Sequence, residues 1–290
     1  MVVTRRLRRT IAALGTLTVI GALAACGGAD GATGGSTSKA EVAPPTQLVE
    51  SGTLTYGTAA SFPPFEFKGS SGQPDGFDIE MIQKLGASMG LNSKPLDIDF
   101  DGLIPALQGR RIDVINSAMY IKPEREKVVD FVPYMVIGES LLVPKGNPKK
   151  IAKVPDDLSG KTVAVTRGAI GEQYMNEFNK QLKAAGKPAM NILALPTNQD
   201  ALLAVKSGRA DTFDTSTPGA AYTITQEKGS LEVAATFDLG TKIGIAVRKG
   251  DTETAKAVKA ALDKFVASGE YGKLLEKYHL PPEVNYFKKG

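Results

Sequence analysis

LIPALQGRRIDVINS, residues 103–117, runs from a helical pattern through a basic turn and an aspartate into a short apolar strand that ends on small polar residues. LAVKSGRADTFDTS, residues 203–216, follows the same plan, and an offset of 98 residues matches Asp113 to Asp211 and Ser117 to Thr215. A helix feeding a strand, met twice, points to α/β structure with parallel pairing. Two lobes built alike are expected, and 290 residues suffice for two domains of the common size of roughly 100–150.

Outward from these stretches, strands are expected at 53–58, 112–117, 161–166, 191–196, 210–216 and 241–250. Helices are expected at 76–90, near 170–185 and 197–207, and near 252–267 and 270–278. Open α/β sheets bind ligands beyond the carboxyl ends of their strands. That rule places Ser117 to Arg125 at one rim and Thr215 to Thr217 at another.

The first 25 residues read as an export signal: MVVTRRLRRT is basic, IAALGTLTVIGALA is apolar, and LAAC closes on small residues. The apolar run is shorter than the roughly 20 residues a spanning helix needs. Cys26 is the only cysteine, so no internal disulfide is possible. Leu23-Ala24-Ala25-Cys26 resembles the lipobox of bacterial lipoproteins, which implies a lipidated Cys26. Arg5-Arg6 leaves both the Sec and the twin-arginine export routes open. Residues 26–49 are rich in Gly, Ser, Thr, Ala and Pro and read as a flexible tether.

Charge excludes one class of partner. The pI of 8.9 is largely a property of the leader, because its removal takes four arginines and leaves 31 basic residues against 31 acidic. No basic footprint for nucleic acid remains. No metal-ligand spacing or cofactor motif appears either.

The order and spacing of SFPPFEF (61–67), GFDIEMIQKL (76–85), FDGLIPALQGRRIDVI (100–115), PEREKVVDF (123–131), GKTVAV (160–165) and GIAVRKGD (244–251) resemble the bacterial extracellular solute-binding proteins of the polar amino-acid ABC-transporter family. The resemblance covers about residues 50–282. It implies a two-lobed periplasmic-binding-protein-like fold of type II, each lobe a mixed sheet flanked by helices, with two hinge crossings. Lobe 1 is expected from 50–142 and 242–290 and lobe 2 from 143–241, with ESLLVPKG (139–146) and the strand near 241–247 as the crossings. A small ligand would sit in the cleft and hold the lobes closed.

The resemblance also implies a site. Arg125 matches the family arginine that grips a ligand carboxylate, a role suited to a guanidinium fork. Taken alone, Arg125 could as well pair with Glu124 or Glu126 at the surface. Phe62 and Phe100 match the aromatic walls, or else are core residues, and Phe65 is assigned to lobe packing. Ser117, Ala118 and Tyr120 follow the first rim, with Tyr120 where the family usually has a Ser or Thr hydroxyl. Gly168, Ala169 and Ile170 form the second turn, where backbone donors survive but the usual hydroxyl is lost. Ser216 stands where the family's aspartate holds an α-ammonium, and a serine cannot offset that charge. Asp214, two residues back on the same strand face, is the substitute, or else it points to a helix cap or solvent. Ala59 and Ala60 occupy the turn where some members carry an acidic residue for a basic side chain. These departures suggest a small carboxylate-bearing solute that need not be a standard α-amino acid.

The expected function is a monomeric, lipid-anchored receptor at the outer face of the cytoplasmic membrane, serving an ABC permease and its ATPase. Two alternatives use the same fold: a dehydratase-like enzyme acting on a cyclic carboxylic acid, and a ligand-sensing receptor. An enzyme needs a placed general acid or base. The sole histidine, His279, lies in the far C-terminal helix, which leaves Asp214 or Glu172 as the remaining candidates and makes catalysis the lesser expectation.

Overall fold

The computed structural model describes residues 40–288. The export signal and Cys26 lie outside the described residues. The first half contains β1 (Thr53–Thr58), β2 (Ser61–Phe62), β3 (Glu66–Lys68), β4 (Pro74–Asp75), α1 (Phe77–Ser88), β5 (Asn92–Asp97), α2 (Leu103–Gln108), β6 (Val114–Ile115) and α3 (Pro123–Glu126). A long strand, β7 (Val129–Pro144), leads into β8 (Thr162–Thr166), α4 (Ile170–Ala184), β9 (Asn191–Leu195), α5 (Asn198–Lys206), β10 (Thr212–Ser216) and α6 (Thr217–Gln226). A second long strand, β11 (Leu231–Arg248), returns to α7 (Thr252–Ala267) and α8 (Glu270–Lys277).

The main sheet has the order β5-β1-β6-β11-β7-β10-β8-β9, and β2-β3-β4 form a small sheet of their own. In each half three parallel strands meet one antiparallel neighbour: β5-β1-β6 against β11, and β9-β8-β10 against β7. β7 and β11 pair antiparallel through both halves and are the two crossings of the fold. Their register shifts at three places, and at the middle one Ile137 faces Thr241 and Glu139 faces Phe237, so that Asp238, Leu239 and Gly240 bulge opposite Gly138. A side chain at 138 would press on Leu239 and on the Phe237 carbonyl, which requires glycine there. This bulge lies a few residues before the expected boundary at 142/143.

The internal echo has a physical basis. Asp113 Oδ2 accepts the Thr55 N–H at 2.8 Å, and Asp211 Oδ2 accepts the Thr162 N–H at 2.8 Å. Each aspartate's own N–H returns to the carbonyl of the same residue, at 2.7 and 2.8 Å. The same two-bond tie thus fixes the central strand of each half to the turn before the next strand.

Amphipathic helices close both halves. α1 buries Phe77, Ile79, Met81, Ile82 and Leu85 on one stripe, against a core with Tyr134, Leu262 and Tyr271. In the second half, Phe213, Leu142 and Val205 pack on one face of the sheet, and Val163, Met175 and Leu182 on the other. Phe65 is fully buried in the first core, as lobe packing requires.

Residues 41–49 differ from the expected free tether. The Glu41 and Val42 N–H groups donate to the Ser88 carbonyl at 2.8 and 3.0 Å, and the Val49 N–H donates to Asp113 Oδ1 at 2.8 Å. The Thr46 N–H donates to Glu253 Oε1 at 2.6 Å. Val42 and Leu48 also pack against the first core. Among the described residues, no helix is long and apolar enough to cross a membrane, and no cluster of metal-ligating side chains occurs.

Candidate functional site

The carboxyl ends of β1, β6, β8 and β10 converge on an inner cavity of about 50 Å³ beside the crossing. A wider cleft of about 740 Å³ lies outside it and shares Ala59, Ser61 and Asn198 with it. The inner cavity is well below the roughly 300 Å³ at which ligand pockets begin. In this arrangement the rims are closed on each other, with little room between them.

Contacts across the cleft hold the closure. Arg125 Nη1 donates to the Tyr120 carbonyl and Nη2 to the Gly168 carbonyl, both at 3.0 Å, so one guanidinium ties the first rim to the second. The Asn198 N–H donates to Ser61 Oγ at 3.3 Å. Lys122 donates to Asp238 Oδ2 at 3.1 Å and also meets the Tyr174 hydroxyl on α4. Tyr174 and Thr241 both donate to the same Asp238 carboxylate.

Phe62 and Phe100 both line the inner cavity, and the Phe62 ring leans on Phe65 with centroids 5.3 Å apart. Arg125 lies over the Phe100 ring at 5.5 Å and is almost wholly buried. Desolvation lowers its pKa to about 10, which leaves it charged at neutral pH.

Ala118, Tyr120, Ala169, Ile170, Asp214 and Ser216 line the cavity as well. Three expected residues do not line it in this closed form. Ser117 is fully buried and its hydroxyl is consumed, accepting from the Ala59 N–H at 3.0 Å and donating to Glu66 at 2.9 Å. Gly168 offers its carbonyl to Arg125, while its N–H goes to Glu172 at 2.7 Å. Arg125 spends its fork on carbonyls, one shell behind the wall. Ser216 has a structural duty, capping α6 by accepting the Gly219 N–H at 3.1 Å. Asp214 is buried in the wall of the cavity.

Ala118 adopts φ +40, in the left-handed region, with its N–H donating to Asp78 Oδ2 at 2.8 Å. This costs a non-glycine residue backbone energy, and such strain gathers at functional sites. The turn sends Tyr120 inward, where its hydroxyl donates to the carboxyl of Glu139.

Glu66 and Glu139 are wall residues that the sequence reading did not single out. The available signal was an acid set within apolar runs, in FEF and in VIGESLLVP. Burial pushes both carboxyls up; for Glu66 the charge of Asp78 adds to this. Asp214 is pushed well up by burial and then by Glu139, with which it shares a hydrogen bond. Burial and the closeness of the two carboxyls therefore favour keeping a proton on the pair.

Four buried polar atoms of the wall have no partner: Glu66 Oε2, Thr166 Oγ1, Asp214 Oδ1 and Thr215 Oγ1. Buried polar groups are ordinarily paired, and leaving one unmade costs about 1–3 kcal/mol. Four orphans facing one cavity define a place built for a polar guest. The family model of the bacterial extracellular solute-binding proteins, family 3, matches residues 54–281.

The chain belongs to that family.

The chain is similar to several proteins named for the amino acids they bind. The L-cystine-binding protein TcyJ of Escherichia coli is 31% identical over 233 residues, covering 80% of this chain and 84% of its own. A solved ancestral arginine-binding protein bound to arginine is 35% identical, with a TM-score of 0.73, and covers 78% of this chain and 98% of its own. The ancestral amino acid-binding protein AncCDT-1, described as a precursor of cyclohexadienyl dehydratase, is 38% identical, with a TM-score of 0.69, over 78% of this chain and 95% of its own. The family-3 solute-binding protein described here shares their mixed α/β fold.

Proposed function

We propose that this protein is the extracytoplasmic receptor of an ABC importer and captures an amino acid, or a related small carboxylate-bearing solute, by closing two lobes on it. The four unpartnered polar atoms around the inner cavity carry this reading. Supporting it, the cavity is polarised. At one side lies the N-terminus of α4, whose first N–H groups have no helical partner and favour a carboxylate, with Arg125 behind the wall. At the other side stand Glu139 and Asp214. A zwitterion fits such a dipole end to end. Phe62 and Phe100 would cover the aliphatic stem between.

In this reading Arg125 turns one donor from a carbonyl to the solute carboxylate when the solute is bound. The lobes move about the Gly138 bulge, with residues 50–142 and 242–290 forming one lobe and 143–241 the other, apart from the few residues by which the crossing precedes that boundary. A lipid on Cys26 and the stretch after it would keep the monomer near its permease and ATPase, and a single lipid chain needs a second chain or signal for stable anchoring. We assign no catalysis. Glu172 is engaged with the Gly168 N–H, and Asp214 faces Glu139 rather than an unpaired base.

Titration of the purified, signal-free protein against the proteinogenic amino acids tests the reading. At least one is expected to bind at micromolar or tighter affinity and to raise the melting temperature. Silence across the whole panel would remove the proposal, and product formation from an added cyclic carboxylic acid would favour the dehydratase alternative.

A further inference from the structure

We propose that the outer cleft is the second half of the solute site and takes a neutral, amide-bearing extension of the solute's side chain, so that the solute is a side-chain-extended amino acid rather than a short one. The inference deepens the receptor reading and rests on it. At about 740 Å³ the outer cleft falls within the roughly 300–1,000 Å³ of ligand pockets, whereas the inner cavity, at about 50 Å³, is too small for a whole solute.

The inner cavity has little scope to lengthen inward. Tyr120 and Ile170 are each only 4% exposed in its wall, and the Tyr120 hydroxyl is held by Glu139. The way outward runs past the three residues that line both spaces, Ala59, Ser61 and Asn198. Two of these have small side chains, and the bond across the passage, from the Asn198 N–H to Ser61 Oγ, is long at 3.3 Å. An amide of the solute placed there replaces that bond on both sides, its carbonyl accepting the Asn198 N–H and its own N–H donating to Ser61 Oγ.

Beyond the passage the cleft offers uncharged partners. Gln199 and Gln226 line it with side-chain amides, and Phe67 on β3 and Tyr222 on α6 line it with rings whose centroids are 6.1 Å apart. The charges of the wall are engaged elsewhere: Lys68 pairs with Asp97 at 3.2 Å, Glu227 pairs with Lys206 at 2.6 Å, and Asp99 is exposed to water. Three carboxylates against one lysine disfavour an anionic tail. A neutral amide with a short apolar end meets donors, acceptors and ring faces instead.

Isothermal titration of the signal-free protein at pH 7 tests the proposal, with Nε-acetyl-L-lysine and L-norleucine as probes. Both carry the same four-carbon stem, and only the first carries the amide. Nε-acetyl-L-lysine is expected to bind at least tenfold tighter. Tyr222→Ala and Gln226→Ala, both in the outer cleft and outside the inner cavity, should each cut that ratio at least fivefold. Gln199→Ala, at an exposed position, replaces Tyr222→Ala should that variant fail to fold, with the same expected loss. A preference below tenfold in the parent, or a ratio within twofold of the parent's in the folded variants, would overturn the inference while leaving the receptor reading intact. If neither probe binds the parent, the inference falls too, while the receptor reading is judged by the full amino-acid panel.

Discussion

The Tyr120 hydroxyl, carried by the strained turn after β6, donates to the carboxyl of Glu139 on β7, with the Gly138 carbonyl 3.2 Å away. Burial and the Glu139 charge push the phenol well above its usual range, so it remains a donor at every ordinary pH. Tyr120→Phe keeps the ring and removes the donor. Leaving a buried carboxyl short of a bond should cost about 1–3 kcal/mol. Urea unfolding of parent and variant measures this, and an unchanged midpoint would show that the bond contributes nothing.

Arg125 joins the rims through two carbonyls and stands behind the Phe100 wall. Arg125→Ala should remove solute binding by at least a hundredfold, since the fork is the single buried cation near the proposed carboxylate position. Arg125→Lys should lose most of this too, because an ammonium cannot span two acceptors in one plane. Equilibrium titration checks both, and an alanine variant that binds like the parent would refute the clamp.

Asp78 and Glu66 form a second buried acidic pair beneath the site, and Tyr134 donates to Asp78 Oδ2 at 2.6 Å. Desolvation raises Asp78 from 3.8 to about 7. The folded state thus binds this proton more tightly than the unfolded chain. The associated stability is fully present below about pH 4 and is lost as pH climbs through about 7. Melting temperature of the solute-free protein should fall between pH 5 and pH 8, and Asp78→Asn should flatten the fall. A profile that rises over this interval would contradict the assignment.

Lys122, Tyr174, Thr241 and Asp238 make a latch on the closed form. Half-buried ion pairs of this kind are worth more than exposed ones, whose median is about 0–1 kcal/mol. Asp238→Ala should speed solute dissociation several-fold with little change in association, because the latch exists only after closure. Stopped-flow kinetics separate the two rates.

Local pattern made most elements legible. The expected helix at 252–267 coincides with α7, and the strand at 53–58 with β1. β7 was not recognised as one strand of 16 residues, because Pro133 and Gly138 interrupt an otherwise apolar run and both sit where the pairing shifts. β11 begins at Leu231, ten residues before its expected start, in a stretch whose exposed and half-buried residues carry little hydrophobic signal. In the site, Phe62, Phe100 and Asp214, expected from the resemblance, line the inner cavity. Glu139 was not expected there, since a charge in a buried strand declares its partners only when the chain is folded. Ser216, where the family's aspartate is lost, lines the same cavity as a carboxyl 77 residues earlier in the chain, Glu139.

The crystal structure of the protein with its solute is the most direct test of the account. It should show the solute's density in the inner cavity between Phe62 and Phe100, with a carboxylate toward Arg125 and the first turn of α4 and a cationic group against Glu139 and Asp214. Density confined to the outer cleft, or a solute oriented the other way round, would contradict it.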